Sequence, residues 1–196
     1  MIKIGITGGI GSGKTTVCKL FEKFNIPIFY ADDEAKKIII QNKKCKYQII
    51  NAFGEESYFK DGTLNRKYLA DYIFSDNKKV ILLNAIIHPL VDLSFNNWLD
   101  KHKACSIIMK EAALLFETGL HKKLDKIIVV DASEEIRIER VLARDKHRNK
   151  EQIKNIIDKQ MPQSEKNKLG DFLILNSGED LEGQVLKIFK QLKIES

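Results

Sequence analysis

The stretch "GITGGIGSGKTT", residues 5–16, decides the fold of this chain. Gly8, four further residues and then Gly13, Lys14 and Thr15 match the phosphate-binding loop G-x-x-x-x-G-K-[ST]. An apolar run precedes the loop, and apolar residues spaced three and four apart follow it. This order predicts a strand, a loop and a helix, with backbone N–H groups turned towards a phosphate at the helix N-terminus.

The loop predicts a nucleotide site with magnesium. Lys14 would reach the outer phosphates, and the Thr15 hydroxyl would ligate Mg²⁺. A dinucleotide-binding turn is excluded, because the third glycine of G-x-G-x-x-G would fall at position 14. A nucleotide phosphate and Mg²⁺ are therefore the expected ligands, held by Gly9, Gly11, Ser12, Gly13, Lys14, Thr15 and Thr16.

The composition favours a single globular domain over residues 1–196 and a cytoplasmic location. The net charge of +6 suits a nucleic acid, a membrane surface or a polyanionic small molecule. Aromatic residues do not alternate with basic ones, so we expect no nucleic-acid partner. The N-terminus lacks a signal-peptide pattern, and no uninterrupted apolar stretch reaches about 20 residues, so we expect no membrane association.

Five short apolar runs predict the strands of a buried parallel sheet, because none alternates between apolar and polar residues. Amphipathic helical patterns separate the runs, as in a doubly wound α/β fold. The fold class is thus an α/β phosphate-loop sheet of about five strands flanked by helices. The runs are Ile2 to Thr7, Pro27 to Tyr30, Cys105 to Met109, Ile127 to Asp131 and Phe172 to Leu175.

A long segment, residues 32–103, separates the second and third predicted strands. It is too long for one crossover helix and indicates several helices. Leu64 to Phe74 is one predicted helix, and Lys78 to Lys101 is another, which Pro89 should kink or divide. This helical insertion would cover a second substrate.

Asp32 stands just beyond the second predicted strand, at the sheet edge where α/β folds bind ligands. A kinase needs a carboxylate there to accept a hydroxyl proton or to orient the attacking oxygen. Asp suits a helix N-cap equally well, so position alone leaves both interpretations open. The neighbouring phosphate loop favours the catalytic interpretation, with Asp33 as the substitute.

Two further acids follow predicted strands and could support magnesium. Asp131 ends "IIVVD", and Glu111 follows the third strand closely. Asp131 also makes a reasonable capping pair with Glu134, and capping is the favoured interpretation.

Arginines recur at three and four residues in "RIERVLARDKHR": Arg137, Arg140, Arg144 and Arg148. Like charges at that spacing destabilise a helix, and we expect no acid in the row to relieve them. A bound anion would relieve this repulsion. The row therefore predicts a mobile lid, residues 144–168, that brings guanidinium groups onto transferring phosphates. A solvated basic face is the alternative.

The chain resembles the dephospho-CoA kinases over nearly its whole length. Besides the loop, the ordered motifs are "YADDEAKK", "DGTLNRKYLADYIF", "LLNAIIHPLV", "LLFETGL", "DKIIVVDASEEIRIERVLARD", "QMPQSEK" and "LNSG". The phosphate loop is shared by many NTPases, whereas the ordered set is specific.

The resemblance implies transfer of the ATP γ-phosphate to the ribose 3′-hydroxyl of dephospho-CoA, the last step of coenzyme A synthesis. It implies a nucleotide core, a helical region that binds the CoA moiety, and a lid. Asp32 matches the expected base, Arg144 the lid arginine, and Asn176 a position near adenine. Lys14 and Arg144 join Asp32 as catalytic candidates. The acceptor-side candidates are Asp32, Arg66, His88, Leu115, Glu117 and Arg140.

Three positions depart from the family pattern. Ala113 stands where proline usually precedes "LLFE", Leu175 stands where an acid precedes Asn176, and Thr15 replaces the commoner serine. Thr15 keeps the hydroxyl, so the magnesium prediction is unaffected. His88 could instead be an ordinary helix residue before Pro89, and Glu117 an ordinary surface acid.

Two other functions share the loop. A kinase for another nucleoside or nucleotide would have the same core. A GTP-dependent switch module is less well supported, because N-K-x-D is absent and the single D-x-x-G, Asp180 to Gly183, follows the last predicted strand. The sequence makes no prediction of oligomeric state.

Overall fold

The computed structural model describes residues 1–73 and 76–195. Strands and helices alternate at both ends of the chain, and a run of helices separates β2 from β3. In chain order the elements are β1 Ile2–Thr7, α1 Lys14–Glu22, β2 Ile28–Tyr30, α2 Ala31–Gln41, α3 Lys43–Phe53, a 3₁₀ helix Glu55–Ser57, α4 Arg66–Ile73, α5 Asn77–Lys101, β3 Ile107–Glu111, a 3₁₀ helix Leu120–Lys123, β4 Lys126–Asp131, α6 Glu134–Arg144, α7 Lys150–Asp158, α8 Gln163–Leu169, β5 Phe172–Leu175 and α9 Leu181–Glu195.

The chain forms two compact units. The sheet unit consists of Met1–Tyr30 and His102–Ser196, and the helical unit of Ala31–Lys101.

The sheet unit contains five parallel strands in the order β2-β3-β1-β4-β5. The predicted α/β parallel sheet is confirmed. β1 lies at the centre, with Ile6 opposite Glu111 of β3 and Ile128 of β4. β3 begins at Ile107, two residues later than predicted. The phosphate loop therefore leaves the carboxyl end of the central strand, which is where open α/β sheets bind ligands.

The main core of the sheet unit lies between the strands and helices α1 and α9. Val17 and Phe21 of α1 pack with Val185 and Leu192 of α9 against the buried strand residues. Phe24 stacks on Phe189, with ring centroids 4.3 Å apart. This packing anchors the helix that carries the phosphate loop at its N-terminus.

A smaller apolar cluster joins α6 and α7. Ile138 and Val141 of α6 and Ile153 of α7 are buried together, with Leu142 and Ile157 packed at the margin. Ile10 of the phosphate loop also packs on this cluster.

The helical unit is built around α5, against which α2, α3 and α4 pack. Ile87, Val91 and Phe95 of α5 are buried at intervals of four residues, so they form one inward stripe. Pro89 lies inside one continuous helix and does not divide it, contrary to one of the two expectations. The predicted helix Leu64 to Phe74 is observed as Arg66–Ile73, and Phe74 lies outside the described residues.

Helix α5 is long and apolar enough to cross a membrane, by length and composition only. The expectation that no segment meets this criterion is wrong. Counting uninterrupted apolar runs missed it, because Asn84, His88, Pro89 and Ser94 break the runs without adding charge. The same criterion is met by core helices, so it does not decide between a core helix and a membrane span.

Candidate active site

The phosphate loop has positive φ angles at three of its glycines, 153° at Gly8, 79° at Gly11 and 92° at Gly13. A Cβ at Gly8 would collide with the backbone carbonyl oxygen of Val130, and a Cβ at Gly11 with that of Arg137. Gly13 is the N-cap of α1. Glycine is therefore required by both backbone strain and space at Gly8 and Gly11, and by backbone strain at Gly13.

Lys14 is the first residue of α1, and its Nζ donates to the carbonyl oxygen of Gly8 at 3.0 Å. Thr15 and Thr16 follow in the exposed first turn, which contains no acidic residue. The first N–H groups of a helix have no intrahelical acceptor, and the helix dipole leaves positive charge there. The N-terminus of α1 is thus suited to a phosphate.

Asn176 and Arg140 lie beside the C-terminal half of the loop. Asn176 Nδ2 donates to the carbonyl oxygen of Ser12 at 2.8 Å, and Arg140 Nη2 donates to Asn176 Oδ1 at 3.4 Å. Arg140 Nη1 and Ser12 Oγ are buried, and neither finds a hydrogen-bond partner among the described residues. Buried polar groups are normally paired, so these two donors mark a place where a polar ligand fits.

The four arginines predicted to share one helix face have different surroundings. Arg137 is buried, and its Nε donates to the carbonyl oxygen of Ile10 at 3.1 Å. Burial lowers the pKa of Arg137, and the nearby charges of Glu134 and Asp131 oppose that shift. Arg148 lies beyond α6, which ends at Arg144.

The expectation that no acid relieves this row is wrong. Arg144 Nε and Nη2 donate to the two carboxylate oxygens of Asp145 at 2.8 and 3.0 Å. Arg148 Nε also lies 3.3 Å from Asp145 Oδ2. Adjacent side chains diverge on a helix, but Asp145 is the C-cap residue with φ −107°, so helical spacing does not apply to it. The hydrogen bond raises the pKa of Arg144 and lowers that of Asp145.

Asp131 does not cap α6, so the favoured interpretation of that residue is wrong. Ser133 is the N-cap, and its side chain accepts from the N–H of Ile136. The Asp131 carboxylate instead accepts from Asn167 Nδ2 at 2.6 Å. Glu111, the other acid considered for magnesium, is buried at the end of β3.

The "LLFE" residues lie after β3. Leu115 is completely buried close to Gly5 of β1, so its side chain offers no surface to an acceptor. Glu117 Oε1 accepts from Lys166 Nζ at 2.8 Å and from the N–H of Met161 at 2.9 Å. Burial would raise the pKa of Glu117, but these hydrogen bonds hold it below the ordinary value.

Three predicted acceptor-side residues lie in the helical unit. Asp32 is exposed in the first turn of α2, Arg66 is exposed at the start of α4, and His88 is half-buried in α5. Asp33, the substitute for Asp32, pairs with Lys36 at 2.7 Å. The roles of these residues stay predictions.

The sequence reasoning missed two residues that contact the phosphate loop, Gln160 and Gln163. They accept hydrogen bonds from the N–H groups of Ile10 and Gly9 respectively. Both belong to "QMPQSEK", a motif of the family resemblance that lies within the predicted lid. Two glutamines three residues apart beside a proline were a weak signal, because neither carries charge or breaks a hydrophobic pattern.

Comparison with known proteins identifies the family. The family model described as dephospho-CoA kinase (CoaE) matches residues 2–182. The chain belongs to the dephospho-CoA kinase family. A dephospho-CoA kinase of Bacteroides fragilis is 40% identical over 189 residues, which cover 95% of this chain and 91% of the relative.

Solved structures agree with membership in the dephospho-CoA kinase family. The crystal structure of TT1252 from Thermus thermophilus superposes with a TM-score of 0.85 at 32% identity, covering 99% of this chain and 97% of that one. Dephospho-CoA kinase from Campylobacter jejuni gives a TM-score of 0.69 at 26% identity, with 98% of each chain covered.

Proposed function

We propose that this protein transfers the γ-phosphate of ATP to the ribose 3′-hydroxyl of dephospho-CoA, the last step of coenzyme A synthesis. The observation that carries the proposal is the phosphate loop at the end of the central strand, in a chain whose match to the dephospho-CoA kinase family covers residues 2–182. The nucleotide site is inferred from the loop, and the identity of the acceptor is inferred from the family match.

The loop would bind the ATP phosphates through the N-terminus of α1. Lys14 Nζ, which donates to the Gly8 carbonyl oxygen at 3.0 Å, would instead bind the outer phosphates, where both donor and acceptor carry a full charge. The buried, unpartnered Arg140 Nη1 and Ser12 Oγ support a polar ligand on this side. Asn176, bonded to Ser12, would approach the adenine.

Magnesium fits the donors that this chain offers. Within residues 1–73 and 76–195, no three His, Cys, Asp or Glu side chains form a group that could hold a metal ion. Mg²⁺ usually keeps several waters and binds substrate phosphates with only one or two protein groups. The exposed Thr15 at the helix start could supply a hydroxyl ligand. When bound, the ion would neutralise charge on the β- and γ-phosphates.

Asp32 would act as the base in this proposal. Its carboxylate would accept the proton of the 3′-hydroxyl or orient that oxygen in line with the γ-phosphate. Arg66 and His88 would contact the acceptor from the helical unit. Family correspondence and the exposure of Asp32 and Arg66 support these assignments.

Arg144 would stabilise the charge on the transferring phosphate. The Arg144 side chain is 65% exposed, and its guanidinium donates to the carboxylate of Asp145, whose side chain is 17% exposed. The arginine is thus open to solvent on one side, and a planar guanidinium suits phosphate oxygens. Residues 144–168 would form the lid.

A coupled assay of ATP consumption tests the function, with dephospho-CoA, adenosine and AMP as alternative acceptors. We expect turnover with dephospho-CoA to exceed that with the other two by at least about 100-fold, since remote binding energy raises kcat. Mass spectrometry with ³¹P NMR should show one added phosphate on the 3′-oxygen. No turnover with dephospho-CoA, or equal turnover with AMP, would remove the acceptor assignment.

We also propose that the protein is cytoplasmic, with α5 as the core of the helical unit. The buried stripe of Ile87, Val91 and Phe95 supports packing of α5 within the helical unit, although only 17% of the apolar window of this helix is buried. The test is fractionation of cells that express the full chain. Recovery in the membrane pellet after a high-salt wash would contradict this location.

A further inference from the structure

Ile10, in the first half of the phosphate loop, is held at three points. Its N–H donates to Gln160 Oε1 at 2.9 Å, and its carbonyl oxygen accepts from Arg137 Nε at 3.1 Å. Its side chain packs on the apolar cluster between α6 and α7. One residue of the loop is thus fixed through its donor, its acceptor and its side chain.

Gly9 is held by a second glutamine. Its N–H donates to Gln163 Oε1 at 3.0 Å. The amide group of Gln163 is itself oriented, because Nε2 donates to Asn167 Oδ1 at 2.9 Å. Asn167 in turn donates to Asp131 at the end of β4. A chain of side-chain hydrogen bonds therefore connects the loop to the sheet.

The segment that carries both glutamines is anchored on its other side. Met161, directly after Gln160, donates its N–H to Glu117 Oε1. Lys166, three residues after Gln163, is completely buried and donates to Glu117 and to the carbonyl oxygen of Ala113 at 3.2 Å. Residues 160–167 thus have fixed contacts on the polypeptide after β3.

These contacts divide the loop into two halves with different tasks. The N–H groups of Gly9 and Ile10 are bonded to glutamine side chains, so they are used to hold the loop rather than to meet a phosphate. The phosphate would then bind to residues 11–16 at the start of α1, and Gly9, which the sequence predicts to hold the nucleotide, would instead anchor the loop. A site that binds charge well needs its donors held in place before the ligand arrives, because reorganisation costs binding energy.

We propose that Gln160 and Gln163 are positioning residues of the phosphate loop, which fix the Gly9–Ile10 half so that the other half is preorganised for ATP. The proposal rests on the proposed function only in that the ligand is ATP. It separates residues 160–167 from the rest of the predicted lid, as its anchored end.

Kinetics provide the first test, with Gln160→Met and Gln163→Met, which keep side-chain length and remove the acceptor. The control is Gln191→Met, at an exposed position of α9 that lies outside both the loop and the predicted lid. We expect KM for ATP to rise about tenfold in the first two variants only, with KM for dephospho-CoA changed less than twofold. An equal rise in Gln191→Met, or no rise in the two loop variants, would overturn the proposal.

Amide hydrogen exchange, followed by NMR without ATP, is the second test. Gln160→Met should accelerate exchange at Ile10, and Gln163→Met should accelerate it at Gly9, each by about tenfold or more. Unchanged exchange at both amides would overturn the proposal even if KM rose. This readout does not depend on the reaction, whereas failure of the wild-type protein to use ATP would count against the proposed function alone.

Discussion

The ammonium group of Lys166 lies 2.8 Å from the carboxylate of Glu117, and the two side chains differ in exposure, at 0% for Lys166 and 21% for Glu117. Water can therefore reach the acid but not the base. Breaking a buried ion pair lowers the stability of the fold chiefly when the remaining charged group is shielded from water. The two halves of this pair should thus respond differently to substitution.

Glu117→Gln should destabilise the protein more than Lys166→Met. The first change leaves a buried ammonium without a countercharge, which we expect to lower the free energy of unfolding by about 2 kcal/mol or more. The second leaves a carboxylate that water can solvate and replaces lysine by an apolar chain of similar length. We expect it to lower the free energy of unfolding by about 1 kcal/mol or less. Urea denaturation measures both. The double variant should be more stable than Glu117→Gln alone, and the reverse order of the single variants would show that the buried ammonium does not depend on Glu117.

The contribution of Glu117 should disappear in acid. Despite the opposing effect of burial, hydrogen bonds from Lys166 and Met161 hold its folded-state pKa below the ordinary value of about 4.3. A depressed pKa stabilises the fold above the unfolded-state pKa, and this stabilisation is lost as the pH falls through the folded-state value. The difference in unfolding free energy between wild type and Glu117→Gln should be constant from about pH 6 to 8 and shrink below about pH 4. A difference that grows in acid would refute the assignment.

Gly11→Ala should impair ATP binding as well as stability. Alanine at φ 79° costs about 1 kcal/mol, and its Cβ would also press on the Arg137 carbonyl. Gly119→Ala is a matched control, because Gly119 has φ 71° but nothing within 4 Å of the new Cβ. Both variants should lose about 1 kcal/mol from backbone strain. Only Gly11→Ala should lose more and show a raised KM for ATP, as measured by denaturation and steady-state kinetics.

Lys14→Ala should nearly abolish turnover, by about 1,000-fold or more, because it removes the cationic side chain of the first turn of α1, which would contact the outer phosphates. Lys19→Ala, on the same helix, is the control and should be fully active. Circular dichroism should show both variants folded. Equal activity of the two would remove Lys14 from the catalytic set.

Asp32→Asn should lower kcat about 100-fold or more and change KM much less, since a base acts in the transition state. Asp33→Asn provides the comparison, because Asp33 is the adjacent acid and is paired with Lys36. An unchanged kcat in Asp32→Asn would exclude Asp32 as the base. A large loss in Asp33→Asn would transfer that role to Asp33.

Local chemistry explains what could be predicted. The phosphate loop, the strand β1 and the helix α1 follow from glycine spacing, apolar runs and three-and-four periodicity, each of which acts within about ten residues. The parallel sheet followed because strands without alternation must be buried on both faces. The family followed from the order of several motifs along the chain.

Helix ends and contacts between distant parts of the chain could not be predicted in the same way. Asp145 pairs with Arg144 because α6 ends there. Ser133 rather than Asp131 caps α6 because α6 begins at Glu134, whereas Asp131 ends β4 and binds the distant Asn167. Helix ends are the least certain part of any pattern, and small shifts change which side chains meet.

By itself, the sequence determined that the chain folds as an α/β phosphate-loop protein and where along it the phosphate binds, because those properties depend on local backbone chemistry. Only the tertiary structure decided which side chains hold the loop. Gln160 and Gln163 lie about 150 residues from Ile10 and Gly9 along the chain. A neutral amide has no periodicity or charge to reveal its partner, so its role appears only when folding brings its oxygen to a backbone N–H.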